Sequence, residues 1–154
     1  ITGRDGMALT DAWTDGPKTY LGLQVAGFPN LFTITGPQSP SVLTNMPVAI
    51  EQHADWIADC IAHMRASGAE QIEPVPEVMD EWREKVQTAA EATLLITAKS
   101  SWYLGANVPG KPRAFLAWAG GMHVYRKICE DVVANGYEGF TFSGAPQKEA
   151  AAAE

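Results

Sequence analysis

The stretch PNLFTITGPQSPSVLTNMPVAIEQH, residues 29–53, joins a short apolar run to a long helical pattern through a loop rich in proline and serine. The run from Asn30 to Thr35 is rich in strand-forming residues and ends at Gly36-Pro37, which predicts a short buried strand. Pro37 and Pro40 restrict the backbone of the loop. A stiff polar loop between a strand and a helix is where an open α/β sheet commonly binds a ligand. We therefore predict an α/β fold with a binding site at this junction.

The first helical pattern is the clearest element of the sequence. Asn45 is a favourable N-cap, Pro47 suits the first turn, and Gly68 is a typical stop at the C-terminal end. Between them, apolar residues recur at helical spacing, which predicts one buried stripe. This predicted stripe consists of Ile50, Ala54, Ile57, Ile61 and Met64.

Two further helices are predicted on the C-terminal side. One begins near Pro76, and the other follows the Gly120-Gly121 turn and ends at Gly136. The predicted inner faces consist of Met79, Trp82, Val86 and Ala89 in the second helix, and of Tyr125, Ile128, Cys129 and Val132 in the third.

The remaining segments predict short strands and a tail. AFLAW (114–118) and YEGFTF (137–142) are strand-like runs, and Ile1 to Arg4 is expected to be the end of a strand before a tight turn. TYLGLQV (19–25) alternates loosely, which predicts an extended segment near the surface. The small, polar, alanine-rich residues 143–154 are expected to form a disordered tail.

Composition excludes several classes of protein. The chain of 154 residues is 46% hydrophobic, enough for one globular domain with a core. A formal net charge of -7 gives no basic face for nucleic acid, and no apolar stretch is long enough for a membrane span. Two cysteines in separate helical patterns are expected to be reduced and buried, as in a cytoplasmic protein. The chain starts ITGRDG without an initiator methionine, and we interpret it as a piece of a longer protein.

Few residues suggest chemistry by themselves. His53 and His63 are ten residues apart and lie on different helix faces, and His123 is far away in sequence, so no metal site is predicted. Ser39 and Ser41 lack a nucleophile motif and more plausibly shape the loop. GANVPG (105–110) is not placed as a phosphate-binding loop. The remaining signal is the helix start at residues 45–49, whose unpaired N–H groups can stabilise an anion or a polarised carbonyl.

Three blocks of the sequence carry a resemblance to a known family. GFPNLFTITGPQSPSVLTNMPVAIEQH, SSWYLGANVPGKPR and GGMHVYRKICEDVVANGYEGF occur in the order found in the C-terminal part of Baeyer–Villiger monooxygenases. The chain is most similar to their phenylacetone monooxygenase-like branch. The resemblance covers residues 1–142 and implies the C-terminal portion of a discontinuous, Rossmann-like FAD-binding domain in an enzyme with two dinucleotide-binding domains.

The resemblance also implies an activity and a set of site residues. Such enzymes use FAD and NADPH to insert one oxygen atom of O₂ beside a ketone carbonyl, giving an ester or lactone. It implies that Asn45 and Met46 lie at the pyrimidine end of the flavin, that Leu43, Thr44 and Met46 face the ketone, and that Trp102 contacts NADP. No catalytic residue is assigned, because the dinucleotide fingerprints and an important arginine of the family lie upstream. We therefore expect this piece to need the remaining N-terminal part of the enzyme and to be inactive alone.

Two other interpretations stay open at this point. The chain could be a segment of a flavin monooxygenase that oxidises nitrogen or sulfur, or a non-catalytic helical binding domain. The sequence upstream of this chain distinguishes these two interpretations from the Baeyer–Villiger one. It would contain the fingerprint segments of the Baeyer–Villiger family in one case and lack them in the other two.

Overall fold

The computed structural model describes residues 1–98, 101–105, 109–110 and 112–144. Four helices lie in this part of the chain: α1 (Leu9–Ala12), α2 (Met46–Ser67), α3 (Pro76–Glu91) and α4 (Met122–Ala134). Short 3₁₀ turns lie at Arg4–Gly6, Ser41–Leu43, Leu94–Thr97 and Trp102–Leu104. The three long helices confirm the predicted helical patterns, and Gly68 (φ 72°) is the predicted left-handed C-cap of α2. Asn45 occupies the predicted N-cap position, but its side chain makes no capping hydrogen bond. The short helix α1 was not predicted.

One small sheet connects the middle of the chain to the C-terminal end of the described residues. Strand β1 (Ala69–Pro74) pairs antiparallel with β2 (Phe140–Gly144), and Ile72 lies opposite Phe142. β2 confirms the predicted last strand, but it continues through Ser143 and Gly144, so the predicted boundary of the tail at residue 143 is wrong. Residues 145–154, where the rest of that tail was predicted, lie outside the described residues.

The strand predicted at Asn30–Thr35 is absent, and the segment is irregular. Asn30 (φ 61°) and Thr35 (φ 51°) both have left-handed backbone conformations, which interrupt an extended run. Asn30 instead bonds to β1: its Nδ2 donates to the carbonyl of Glu70, and its Oδ1 accepts from the N–H of Ile72. A polar side chain therefore takes the place of strand pairing here.

The strand predicted at residues 114–118 is also absent. Its backbone bonds go to irregular segments: the Leu116 N–H donates to the Tyr103 carbonyl, and the Trp118 N–H donates to the Ser39 carbonyl. The run is apolar because Phe115, Ala117 and Trp118 are buried, not because it lies in a sheet. Apolar composition alone does not separate these two cases.

Residues 19–25 are buried, in contrast to the predicted surface segment. Leu21 and Leu23 are fully buried in the main core, and Tyr20 forms an isolated bridge with Gln24 around a turn. Leu21 (φ 58°) and Gly22 (φ 72°) make this turn, and a Cβ added to Gly22 would lie 2.5 Å from the Cβ of Ser39. Glycine at position 22 therefore lets this turn pack directly on the proline-rich loop.

Helix α2 buries a different face from the one predicted. Ile50 and Ala54 are exposed, whereas the buried face consists of Ala49, His53, Trp56, Cys60 and Met64. Met64 is buried as predicted, but each of the other four predicted positions is one residue, about 100° of helical rotation, away from the buried one. The buried histidine explains the error, because a pattern of apolar residues alone places His53 on the outside. In α3, likewise, Ala90 is buried where Ala89 was predicted.

The main core lies where the three long helices meet the irregular segments. The indoles of Trp82 in α3 and Trp118 stack with 5.1 Å between ring centroids. Tyr125 and Cys129 of α4 are fully buried beside them. The core thus holds the loop at residues 35–40 against α3 and α4, and this arrangement positions the start of α2.

Candidate functional site

The candidate site is the start of α2 and the turn that leads into it. Asn45 is exposed, and Leu43, Thr44 and Met46 are half-buried, so these four consecutive residues reach the surface together. Asn45 has an extended backbone (ψ 115°), and no side-chain cap accepts a hydrogen bond from this first turn. A 22-residue helix therefore presents the partial positive charge of its first N–H groups at an accessible end.

Gln38 fixes the loop from inside. Its side chain is buried, and its Oε1 accepts from the N–H of Thr19 (2.9 Å) and from the Thr19 hydroxyl (3.1 Å). Its backbone carbonyl accepts from Nε1 of Trp82 at 3.2 Å, and its N–H donates to the Leu116 carbonyl at 2.8 Å. Four hydrogen bonds to three segments leave this residue little freedom.

Ser39 has a structural role in the same loop. Its buried hydroxyl donates to the Gly36 carbonyl at 2.7 Å, and its own carbonyl accepts from the N–H of Trp118 at 2.8 Å. The prediction that this serine shapes the loop fits these contacts, because a hydroxyl turned towards its own backbone is not directed at a substrate.

His53 connects the loop to the core. The N–H of Thr35 donates to Nδ1 at 2.9 Å, so the proton of the neutral ring lies on Nε2. Nε2 then donates to the Tyr125 hydroxyl at 2.8 Å, which in turn donates to the Leu21 carbonyl at 2.6 Å. Burial lowers the pKa of His53 to about 4. The sequence analysis considered this histidine only as a metal ligand. Its position two turns into α2, beside apolar neighbours, is the signal that could have indicated a buried, hydrogen-bonded histidine.

Trp102 lies on a separate 3₁₀ turn, Trp102–Leu104. Its side chain is 50% exposed and stacks on Tyr103, with 4.2 Å between ring centroids. Ser101 caps the turn through its hydroxyl, which accepts from the N–H of Tyr103, and Gly105 (φ 67°) ends it. The indole is therefore presented at the surface on an aromatic support. GANVPG, which follows, falls partly on residues 106–108 and so lies largely outside the described residues.

The other candidate groups do not gather into a site. His63 is exposed and packs on Tyr137, His123 is exposed at the start of α4, and the described residues contain no group of three or more potential metal ligands. Cys60 and Cys129 are buried free thiols, and burial raises their pKa values to about 11 and about 12. Within the described residues, no helix combines the length and apolarity that crossing a membrane requires.

Comparison with known proteins identifies the relatives of this chain. No family model matches it. It is 42% identical over 144 residues to the acetone monooxygenase (methyl acetate-forming) of Gordonia sp. (strain TY-5), covering 93% of this chain and 27% of that protein. It is 37% identical over 140 residues to the cyclohexanone 1,2-monooxygenase of Acinetobacter sp., covering 91% of this chain and 25% of that protein. It is also 35% identical over 146 residues to the phenazine N-monooxygenase PhzNO1 of Lysobacter antibioticus (95% and 26%).

Solved structures give the same result. An oxidized steroid monooxygenase bound to NADP superimposes with a TM-score of 0.86 at 47% identity, covering 94% of this chain and 27% of that one. The OTEMO complex with FAD and NADP gives a TM-score of 0.85 at 38% identity, covering 93% and 26%. The chain thus spans about a quarter of the length of the proteins it matches.

These relatives define the class first: they are flavin-dependent monooxygenases, and the chain is similar to about a quarter of each. More narrowly, the chain is homologous over nine-tenths of its length to the C-terminal part of Baeyer–Villiger monooxygenases, which confirms the resemblance found in the sequence.

Proposed function

We propose that this chain is the C-terminal portion of the discontinuous FAD-binding domain of an FAD- and NADPH-dependent Baeyer–Villiger monooxygenase. The complete enzyme would insert one oxygen atom of O₂ beside a ketone carbonyl and form an ester or lactone. The observation that supports this best is the accessible, uncapped start of α2, held by a loop whose polar groups are bonded inside the core. The remaining N-terminal part of the enzyme would supply the phosphate-binding segments.

Asn45 and Met46 would hold the pyrimidine end of the flavin. Bound FAD would supply the redox and oxygen chemistry, and its pyrimidine end gains negative charge on reduction. The N–H groups of the first turn of α2 fit that charge, because they carry a partial positive charge of about half a unit. A dipole fixed by the fold needs no reorganisation when the charge develops, so it favours the reduced state.

Leu43, Thr44 and Met46 would line the ketone side of the same junction. All three are half-buried, so each offers accessible side-chain surface while the backbone beneath stays anchored. One methylene in such a pocket changes discrimination between substrates by about 1–3 kcal/mol. Differences at these positions would therefore select among ketones.

Trp102 would contact NADP. A half-exposed indole stacked on Tyr103 offers a flat apolar face and one N–H donor to a ligand. The tryptophan is not a buried plug, which favours a binding role over a packing role. The structure describes no contact between Trp102 and the α2 junction, so their cooperation in one site stays part of the proposal.

A heteroatom-oxidising activity is the second candidate, supported by the 35% identity to the phenazine N-monooxygenase. The ketone reading is preferred because the identity is higher to the acetone monooxygenase, at 42%. A free-standing, non-catalytic binding domain has less support, because the match to a monooxygenase extends over nine-tenths of the chain. A cytoplasmic location, expected from the two unpaired thiols, stays a prediction.

The test uses the complete protein encoded around this sequence. We expect it to purify with bound FAD, to oxidise NADPH faster when a ketone is added, and to release an ester detectable by gas chromatography–mass spectrometry. Parallel assays with an aromatic N-heterocycle and a thioether test the second candidate. N-oxide or sulfoxide formation without any ester would replace the ketone proposal, and absence of bound FAD would refute both. The 154-residue chain alone is expected to retain no FAD.

A further inference from the structure

A hydrogen bond closes the chain around the proposed binding junction. The N–H of Thr35 donates to Nδ1 of His53 at 2.9 Å across a sequence separation of 18 residues. Leu43, Thr44, Asn45 and Met46 all lie between these two residues. Joining the ends of a segment removes conformations in which the segment swings away from its anchor points.

The ring of His53 is itself fixed by its second nitrogen. Nε2 contacts the Tyr125 hydroxyl of α4 at 2.8 Å, and that hydroxyl donates to the Leu21 carbonyl at 2.6 Å. His53, Tyr125 and Leu21 are all fully buried. One imidazole thus joins the loop, α2, α4 and the buried turn at residues 20–24.

Thr35 requires such an anchor. It is β-branched and has a φ of 51°, a conformation that β-branched residues rarely adopt. A strained residue of this kind persists only where surrounding contacts hold it. The backbone N–H of Thr35 itself donates to Nδ1 of His53. Thr35 stands one position before Gly36 and the proline-rich loop.

We infer that His53 is a positioning residue for substrate selection: its Nδ1 holds Thr35 and thereby orients residues 36–46 against the reacting groups. This inference rests on the proposed function and adds to it a residue that contacts neither ketone nor cofactor. The neutral ring with its proton on Nε2 is the form that can accept from Thr35 and donate to Tyr125 together.

The two bonds of the ring can be removed separately. In His53→Asn, the amide oxygen can take the place of Nδ1 and accept from Thr35, while the contact with Tyr125 is lost. In His53→Gln, the terminal amide can reach Tyr125, while the Thr35 N–H is left without an acceptor. Tyr125→Phe keeps the Thr35 bond and is the control for lost buried hydrogen bonds, because it removes the bonds of this hydroxyl to His53 and to the Leu21 carbonyl.

The experiment measures kcat and KM for a ketone panel, and hydrogen peroxide released per NADPH, for these variants of the complete FAD-bound protein. A misplacement of reacting groups on the order of 1 Å can reduce turnover about 100-fold. We expect His53→Gln to change the ratio of kcat/KM between a small and a large ketone by about tenfold and to release more peroxide. His53→Asn and Tyr125→Phe keep an acceptor for Thr35, so they should change the ratio and the coupling less than His53→Gln does, although all three variants melt at lower temperature.

Two outcomes would overturn the inference. The first is that the three variants share the same substrate profile and lose similar amounts of melting temperature. This result would leave His53 with a structural role only. The other, which is independent of whether His53→Gln folds, is a ¹⁵N spectrum of the wild-type protein that places the ring proton of His53 on Nδ1. A wild-type protein that holds FAD but does not oxidise ketones would instead refute the proposed function, and the inference with it.

Discussion

At the scale of single residues, burial decides what an ionisable side chain can do. His53 is fully buried, and the pKa of its ring is lowered to about 4 because burial disfavours the charged form. A proton on Nδ1 would also remove the acceptor for Thr35. The residue is therefore a neutral hydrogen-bonding group near neutral pH, and its protonation should be coupled to unfolding.

The stability of the protein should fall as the pH drops from about 6.5 towards 4. An unfolded histidine has a pKa of about 6.5 and binds a proton in this window, whereas the folded ring stays neutral, so acid favours the unfolded state. Lowering the pH from 7 to 5 should cost about 2 kcal/mol of unfolding free energy from this group. Urea unfolding of the complete protein at several pH values measures the slope. His53→Asn should show a smaller slope, and an equal slope in both proteins would assign the effect to other groups.

Trp102→Ala should weaken the use of NADPH far more than it weakens folding. The indole is 50% exposed, so little core packing is lost, whereas the N–H donor and the stacking face of the proposed NADP contact disappear. The loss of cofactor interaction should be on the order of 1–3 kcal/mol, seen as a higher KM for NADPH and more peroxide per NADPH. Leu94→Ala is the control, because Leu94 is 86% exposed and belongs to no proposed site. If the KM for NADPH and the peroxide released per NADPH are unchanged in Trp102→Ala, the residue has only a packing role.

At the scale of elements, the two ends of α2 differ. The C-terminal end is closed by Gly68 in a left-handed conformation, where the N–H of the cap bonds back to the last turn. The N-terminal end has an accessible Asn45 and no side-chain cap, which leaves its first N–H groups available to a ligand. The fold thus satisfies the C-terminal end of the helix internally and leaves its N-terminal end accessible, as the proposed flavin contact requires.

Met46→Gly in the complete enzyme should change which ketones are accepted while FAD stays bound. Met46 is half-buried at the junction, so shortening it enlarges the proposed pocket, whereas FAD affinity is spread over many contacts elsewhere. The ratio of kcat/KM between two ketones that differ in size should shift by about tenfold or more. Ile61→Gly is a matched control further along α2, beyond the reach of the junction. An untouched substrate profile would show that this turn does not line the pocket.

At the scale of the whole molecule, several large apolar side chains stay exposed. Ile34 (49%) precedes Thr35 in the sequence, and Val48 (37%) and Ile50 (41%) lie near the start of α2. Monomeric proteins rarely expose contiguous apolar patches above several hundred Å². Under the proposed function, the N-terminal part of the enzyme would cover this surface.

The isolated 154-residue chain should therefore be marginally stable or self-associating. Sedimentation at several protein concentrations and differential scanning calorimetry measure these properties. Replacing Ile34 and Ile50 together by serine should reduce association, because it removes exposed apolar area without changing the buried face of α2. A clean monomer with a sharp two-state transition would contradict the expectation that this surface is normally covered.

The sequence correctly predicted the structural features that depend on residues close together along the chain. The three long helices, the caps at Asn45 and Gly68 and the last strand were found from periodicity and from glycine and proline, because these signals act within one or two turns. The three sequence blocks were also sufficient to find the family. The family's implied site residues Leu43, Thr44, Asn45 and Met46 lie together at the start of α2, since they are consecutive.

What the sequence did not determine depends on contacts between distant segments. The runs at 30–35 and 114–118 resemble strands in composition, yet neither is a strand. Asn30 of the first run bonds to β1 through its side chain, and Trp118 of the second run donates its N–H to the Ser39 carbonyl in the loop. The buried face of α2 is set by His53, whose hydroxyl partner Tyr125 is 72 residues away. That hydroxyl bonds to the Leu21 carbonyl at a separation of 104 residues. No local pattern encodes such pairs, because a polar side chain becomes favourable inside the protein only when folding brings its partners within hydrogen-bond distance.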